Sequence, residues 1–505
     1  MFAKILKSKL FFYWFRWSLR PVSVISALLA VSAEAAEPFV VKIDSPSFRK
    51  LTVALPEFDA GKETDAVWLS FAQQGKADFE SLFRFTGLFN LLNISALPGL
   101  PAMAVSPSAS LPSEKKVAEP NVPQPIHIPA FSDVDVASWR ALGAESLTLV
   151  KFEKQDTHVR VEIRTADLNQ LKLLLSRSYT ITISKENLFE IEKQYLDDLL
   201  LAYTGRPGIF QSKIVFLGRS SMSVTKQLYT CDVLGQNLKQ LTKRDTSHLS
   251  PTWDPSGKTV VFSALENKKG YFLFSQDLLT GRTNLLSGFP VINSGGNISP
   301  QGQFVVYSAY DLQKKETQLY VLSLQNSRNR RLLYAYPTKP FQNVGVNLVD
   351  PSFSPDGKWL AYVSDQYGNP HIFRQEVIWS RGASDLKLQG EEKRLTYAGW
   401  FNTMPTWSPD SKKIAFAGLD KEIRRFDLFL MNSDGTQLER LTLERGDNES
   451  PSFSKNGLLI IFQSNRIGDS NSKGPAQLYL MNRDGTDQRK INTGLYSSES
   501  PEWGP

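Results

Sequence analysis

The chain's whole supply of imidazole is His127, His158, His248 and His371, and its one thiol is Cys231. No two of the histidines stand in a His-Glu-x-x-His arrangement, and a lone cysteine does not complete a zinc site with them by spacing. A serine nucleophile would sit in a Gly-x-Ser-x-Gly elbow, and the sequence has none; it also lacks a phosphate-binding loop and a dinucleotide fingerprint. Three carboxylates remain, Asp254, Asp356 and Asp410, which recur at one place in successive segments. Gathered around a channel they would suit a metal-dependent enzyme. Beside Pro255, Pro355 and Pro409 they suit tight turns better, because Asp bonds its own backbone there and Pro presets φ. No catalytic residue, metal ligand or cofactor is therefore assigned, and the metal-dependent enzyme stands as an alternative.

A second set of residues is polar and recurrent. Short stretches around His248, Asn293, Asn347, Asn402, Asn448 with Glu449, and Glu499 each precede an apolar anchor. Small polar side chains with an occasional Phe or Leu, presented from a rigid frame, make a protein-docking surface. Taken singly, each is what any loop contains, so the frame has to carry the argument.

That frame is an internal repeat. Its anchors are Trp253, Ile298, Phe353, Trp407, Phe453 and Trp503, separated by 45, 55, 54, 46 and 50 residues, the length of one four-stranded propeller blade. A Pro stands two residues after five of the six anchors, and an Asp-Gly or Asn-Gly pair sets a hairpin turn after Phe353 and Phe453. Runs such as Val260-Val261-Phe262 have the branched and aromatic character of inner strands. A second unit follows each first one, opening at Gln227, Tyr271, Gln318, Asp427 and Gln477. It reads as the two outer strands joined by an Asp-Gly-Thr hairpin. The copy at His371 reads as interrupted, resuming at Lys393. The last copy stops at Trp503 after one strand, whereas Lys213-Ile214-Val215-Phe216 looks like a second strand with no first. The final strand is thus expected to complete the blade that Lys213 begins, closing a six-bladed ring without open edges.

Residues 36–205 have another character. Val40–Ile43, Leu51–Leu55, Leu147–Val150, Val159–Thr165 and Arg177–Ile183 read as strands. Helices are expected from Ala77 and from Asn187, the latter ending at Gly205 before Pro207. The fold class is an α/β N-terminal domain (36–205) plus an all-β six-bladed β-propeller (206–505), with Leu97–Pro129 a Pro-rich flexible insertion. Residues 1–35 read as a cleaved export signal, with a basic start, an apolar stretch and Ala33-Glu34-Ala35 before the cut. The Leu10–Trp17 cluster would lengthen it into an anchor, but Arg16 and Arg20 break the run below the roughly 18–20 apolar residues a span needs. Most of the net charge of +7 lies here, since Lys4, Lys7, Lys9, Arg16 and Arg20 face only Glu34. The remainder has no basic block for nucleic acid. With one cysteine no intramolecular disulfide forms, and Cys231, in a strand-like run, reads as a buried apolar side chain.

The order of these segments resembles the TolB family, periplasmic propellers of the Tol–Pal system of Gram-negative bacteria. The resemblance rests on Glu37–Ala60, on Phe79–Leu92 with Gly87-Leu88-Phe89, and on Ser138-Trp139-Arg140-Ala141-Leu142-Gly143. It extends to the linker Leu201–Phe210 and the ending Ser500-Pro501-Glu502-Trp503. It implies a non-enzymatic scaffold without cofactor, peripheral to the membrane, that helps keep the outer membrane attached during cell division. It implies that the lipoprotein Pal docks at the channel mouth, on the seven residues named above. It implies that TolA is contacted through Glu37, Val40, Val41, Ile43 and Asp44, and it admits other outer-membrane proteins as partners. The Leu97–Pro129 insertion, Ile292 in its loop and the long Trp379–Glu392 segment depart from the family pattern. A polysaccharide-binding propeller is the remaining alternative; it would show an aromatic-lined face and no affinity for Pal.

Overall fold

The computed structural model describes residues 49–61, 65–93 and 136–505 except 223, 244–245, 267–269, 288–292, 312–314, 325–329, 335–345, 381–384, 421, 423, 444–445 and 468–469. The expected export signal, the Glu37–Asp44 segment and the Leu97–Pro129 insertion lie outside the described residues.

The N-terminal part is a five-stranded sheet in the order β2-β1-β3-β4-β5. Strand β1 (Leu51–Ala54) is followed by helix α1 (Ala66–Phe85), β2 (Phe89–Leu91) and helix α2 (Val136–Ala141). Then come β3 (Ser146–Gln155), β4 (His158–Asp167), β5 (Lys172–Thr182) and helix α3 (Lys185–Thr204). Helix α1 begins well upstream of the expected Ala77. Its apolar stripe continues back through Phe71 and Trp68, and Asp65 caps it by accepting the Val67 N–H at 3.1 Å. Helix α3 is capped by Ser184, which accepts the Asn187 N–H at 3.1 Å, and it stops at Gly205, whose φ of 66° a side chain would resist. The Asp197 carboxylate of α3 accepts main-chain N–H groups of Ile209, Phe210 and Gln211, at 2.7–3.2 Å, and so pins the linker into the propeller.

The propeller has six four-stranded blades. Blades one to five run from the inside outward in chain order. Their inner strands are His248–Trp253, Asn293–Ile298, Leu348–Phe353, Phe401–Trp407 and Asn448–Phe453. Blade six is closed as expected: Ser497–Trp503 pairs antiparallel with Lys213–Arg219, which is followed by two outer strands. The copy at His371 is not interrupted. The third and fourth strands of blade three, His371–Ser380 and Asp385–Arg394, form one long hairpin, and Trp379 packs against Phe353 with its indole N–H on the Gly357 carbonyl at 2.8 Å. Within every blade the second and third strands place two aromatic rings directly opposite each other. The pairs are Phe216–Tyr229, Phe262–Phe274, Tyr307–Tyr320, Tyr362–Phe373, Phe416–Phe429 and Phe462–Tyr479, with centroids 5.5–6.2 Å apart.

Candidate docking face

An antiparallel meander brings three kinds of connection to one end of the ring: blade-to-blade crossings, starts of inner strands, and hairpins between second and third strands. The Asp-Gly turns lie at the other end, and there the N-terminal domain sits. Arg206 donates to the Asn456 carbonyl at 2.8 Å and lies 3.6 Å from Asp410. Arg489 donates to the Phe85 carbonyl at 2.6 Å and covers the Phe85 ring. One continuous core joins Phe79 and Phe83 of α1 to Leu459, Leu480 and Ile491 of blade five. Among the described residues, the mouth end is therefore left open.

The candidate polar residues all belong to that mouth end, but several point inward. His248 is fully buried, its Nδ1 2.9 Å from the Lys226 carbonyl of blade six. Asn347 accepts the Thr317 N–H of blade two at 2.9 Å and donates to Asp365 at 2.7 Å. Buried Asn402 donates to the Ala398 carbonyl at 2.9 Å and to Nδ1 of His371, in blade three, at 3.1 Å. Buried Asn448 donates to Asp427 of blade four at 3.2 Å and accepts from Arg466 at 2.7 Å. Each of these four ties the start of an inner strand to the third strand of the preceding blade or the residue just before it. The partners Thr317, His371 and Asp427 were not read from the sequence as inter-blade contacts, although a polar residue opens nearly every second repeated unit. Asn293 opens the inner strand of blade two, opposite Ala309.

Glu449 and Glu499 complete the set. Glu499 pairs with Lys226 and, at 3.3 Å, with Arg219. Glu449 accepts from Gln463 at 3.1 Å; burial, together with nearby Asp447 and Glu499, pushes its carboxyl above the usual range. Around them the mouth end exposes an apolar arc, Met222, Val224, Leu443, Ile467 and Tyr496, spread over the loops of blades four to six. A separate aromatic group, Tyr367, Tyr397 and Trp400, lies over blades three and four.

Asp254, Asp356 and Asp410 are turn residues at the opposite end. Asp254 accepts the Lys258 N–H at 2.9 Å; Asp356 and Asp410 each accept a serine hydroxyl at 2.6 Å. Among the described residues no three His, Cys, Asp or Glu side chains gather as metal ligands. Cys231 is buried, which pushes its thiol up to about 12. No described helix is long and apolar enough to cross a membrane.

Residues 201–505 match the family described as TolB beta propeller domain. A relative from Desulfosudis oleivorans named Tol-Pal system protein TolB is 28% identical over 317 residues; the match spans 62% of this chain and 64% of the relative's own length. A protein of the same name from Francisella tularensis subsp. holarctica is 22% identical over 380 residues, 73% of this chain and 80% of that one. The crystal structure of TolB from Acinetobacter baumannii superposes with a TM-score of 0.66 at 20% identity, covering 90% of this chain and 97% of that one, which speaks for the fold alone.

Proposed function

The chain belongs to the TolB β-propeller family, and from that premise we propose that it is a non-enzymatic scaffold of the Tol–Pal system. In this reading it is exported to the periplasm, binds Pal across the propeller mouth and TolA through Glu37–Asp44, and helps keep the outer membrane attached during division. The observation that carries the mouth assignment is the exposed arc Met222, Val224, Leu443, Ile467 and Tyr496, set around buried inter-blade latches. Exposed apolar side chains on a rigid frame are what a partner can desolvate. His248, Asn347, Asn402 and Asn448 hold the loops in place, Asn293 stands in the second of them, and Glu449 and Glu499 supply polar contacts among them.

Calorimetric titration of the chain from residue 36 with the periplasmic domain of its own organism's Pal tests this. One-to-one saturable binding is expected, weakened at least about tenfold, ~1.4 kcal/mol, by Leu443→Asp or Ile467→Asp. Absence of binding between two folded proteins would overturn it.

A further inference from the structure

We propose that the aromatic group between blades three and four is a saccharide-binding platform, with Tyr397 and Trp400 as its stacking plates. In each of the six blades a cross-strand pair of rings lies in the interior, but blade three carries its pair outward. Tyr362 and Phe373, both buried, stack at 6.2 Å with 16° between planes, and Tyr367 stacks on Phe373 at 6.0 Å and 21°. The Arg394 guanidinium then lies 5.5 Å from the Tyr367 ring and 4.8 Å from the Tyr397 ring. The column runs from core to solvent and ends on Tyr397, which is 74% exposed, with Trp400 47% exposed three residues on.

The column is held in place from several sides. Arg394 donates through Nε to the Thr396 carbonyl at 2.7 Å, the Tyr397 hydroxyl donates to the Arg394 carbonyl at 3.3 Å, and the Trp400 main-chain N–H donates to the Leu419 carbonyl at 3.0 Å, fixing the backbone beneath that ring. Glu392 accepts from the Tyr362 hydroxyl at 3.0 Å and from Gln366 at 2.5 Å. Rings fixed before a ligand arrives lose little freedom when it stacks on them. Structurally equivalent positions in other blades do not repeat the plate. Thr242, Thr396 and Thr442 each accept a third-strand N–H at 2.9 Å, and the residues after them are Lys243, Tyr397 and Leu443.

What surrounds the plates points to a sugar rather than a protein. A protein hot spot is ringed by contacts that shut water out. Here the neighbours in the same loops are Gly368, Asn369, Ala398 and Gly399, all exposed and none a branched apolar residue. Such a rim stays wet. A pyranose ring suits it, because one face of the ring is C–H and the hydroxyls at its edge keep their water. Exposed Asn369, in the same turn as Tyr367, borders the platform with an amide able to bond hydroxyls. The chemistry implied is a chain of neutral pyranose units.

The test is saturation-transfer NMR of the chain from residue 36 with chitohexaose and, separately, cellohexaose. Transfer concentrated on ring C–H protons is expected for at least one of them. Affinity should fall at least about tenfold in Tyr397→Ala and in Trp400→Ala, and should persist in Trp400→Phe and in Leu443→Asp. Both alanine variants should keep the wild-type melting temperature within about 2 °C, since exposed residues carry little stability. No transfer from either oligosaccharide, or transfer untouched by both alanine variants, overturns the proposal. So does a result in which those variants abolish binding of Pal while neither oligosaccharide binds, which would give the platform to a protein.

Discussion

His371 shows how a mouth residue acts through a neighbour. Its Nδ1 receives the Asn402 amide at 3.1 Å and lies 3.2 Å from the Thr396 hydroxyl, so the latch between blades three and four uses a neutral imidazole with a free lone pair. Burial, and then the charge of Arg394, lower its pKa to about 4. Between pH 6.5 and 4 the unfolded chain therefore binds a proton that the folded chain refuses. Stability falls as pH drops through that window, and the contribution is intact above it. Allowing for solvent near the mouth, the loss is about 1–2 kcal/mol by pH 4. Three other blades have Gln where blade three has His371, namely Gln227, Gln318 and Gln477. His371→Gln should thus fold and lose this part of the pH dependence. Urea unfolding of both proteins at pH 7, 5.5 and 4.5 checks it, and parallel curves for the two would sink the idea.

At the level of elements, what repeats was legible and what crosses between elements was not. The anchors, the Asp-Gly turns and the lone strand at Lys213 each answer a local demand, a packed ring, a positive φ or an edge to cover, so they could be read in order. The start of α1 could not, because Gln73, Gln74 and Gly75 interrupt the stripe at the place where two helices meet. A Cβ on Gly75 would stand 2.5 Å from Leu188 Cδ2 and 3.4 Å from Glu192 Oε1. The inter-blade latches were equally out of reach: Asn448 finds Asp427 across a blade boundary, and its neighbours in sequence do not announce it. Glu192 is the sharpest such case. It is 1% exposed between α1 and α3, and neither carboxylate oxygen has a hydrogen-bond partner among the described residues. Burial first, and then Asp78, push its pKa well up. The folded chain therefore holds this proton to higher pH than the unfolded chain, and the residue costs stability as pH rises above about 4.3, the unfolded value. Glu192→Met should stabilise by about 1–3 kcal/mol at pH 8 and by clearly less at pH 5. Denaturant midpoints at the two pH values decide it; a destabilised variant at pH 8 would mean the carboxylate has a partner worth keeping.

The whole ring depends on neighbouring blades holding one another near the axis, and one position does much of this. The side chain just before an anchor accepts the N–H of the next blade's anchor: Asn297 from Phe353 at 2.8 Å, Ser452 from Trp503 at 3.0 Å, and Glu502 from Trp253 at 2.8 Å. Glu502 also accepts the Thr252 hydroxyl at 3.0 Å, so it fastens blade six to blade one, the seam at which the ring closes. The equivalent residues elsewhere, Thr252, Asn297, Ser352, Thr406 and Ser452, do not ionise. Burial pushes the Glu502 carboxyl up to about 8. Because this folded-state value lies above the unfolded one, its stabilising contribution is complete below pH 4.3 and is lost as pH rises towards 8. The seam is thus the one of these three latches that weakens with alkali. Glu502→Gln keeps one oxygen to accept the Trp253 N–H and turns its NH2 to the Thr252 hydroxyl, which can accept as well as donate. It cannot ionise, so it should match the protonated wild type near pH 4.5 and exceed it at pH 8. Part of the residue still meets solvent, which holds the expected gain to about 2 kcal/mol rather than the full value of the shift. Ser452→Ala serves as the control, with a cost that does not change with pH. Thermal unfolding of the three proteins at pH 5 and 8 reads the difference directly. An equal gap between Glu502→Gln and wild type at both values would show that the seam closes with Glu502 already ionised.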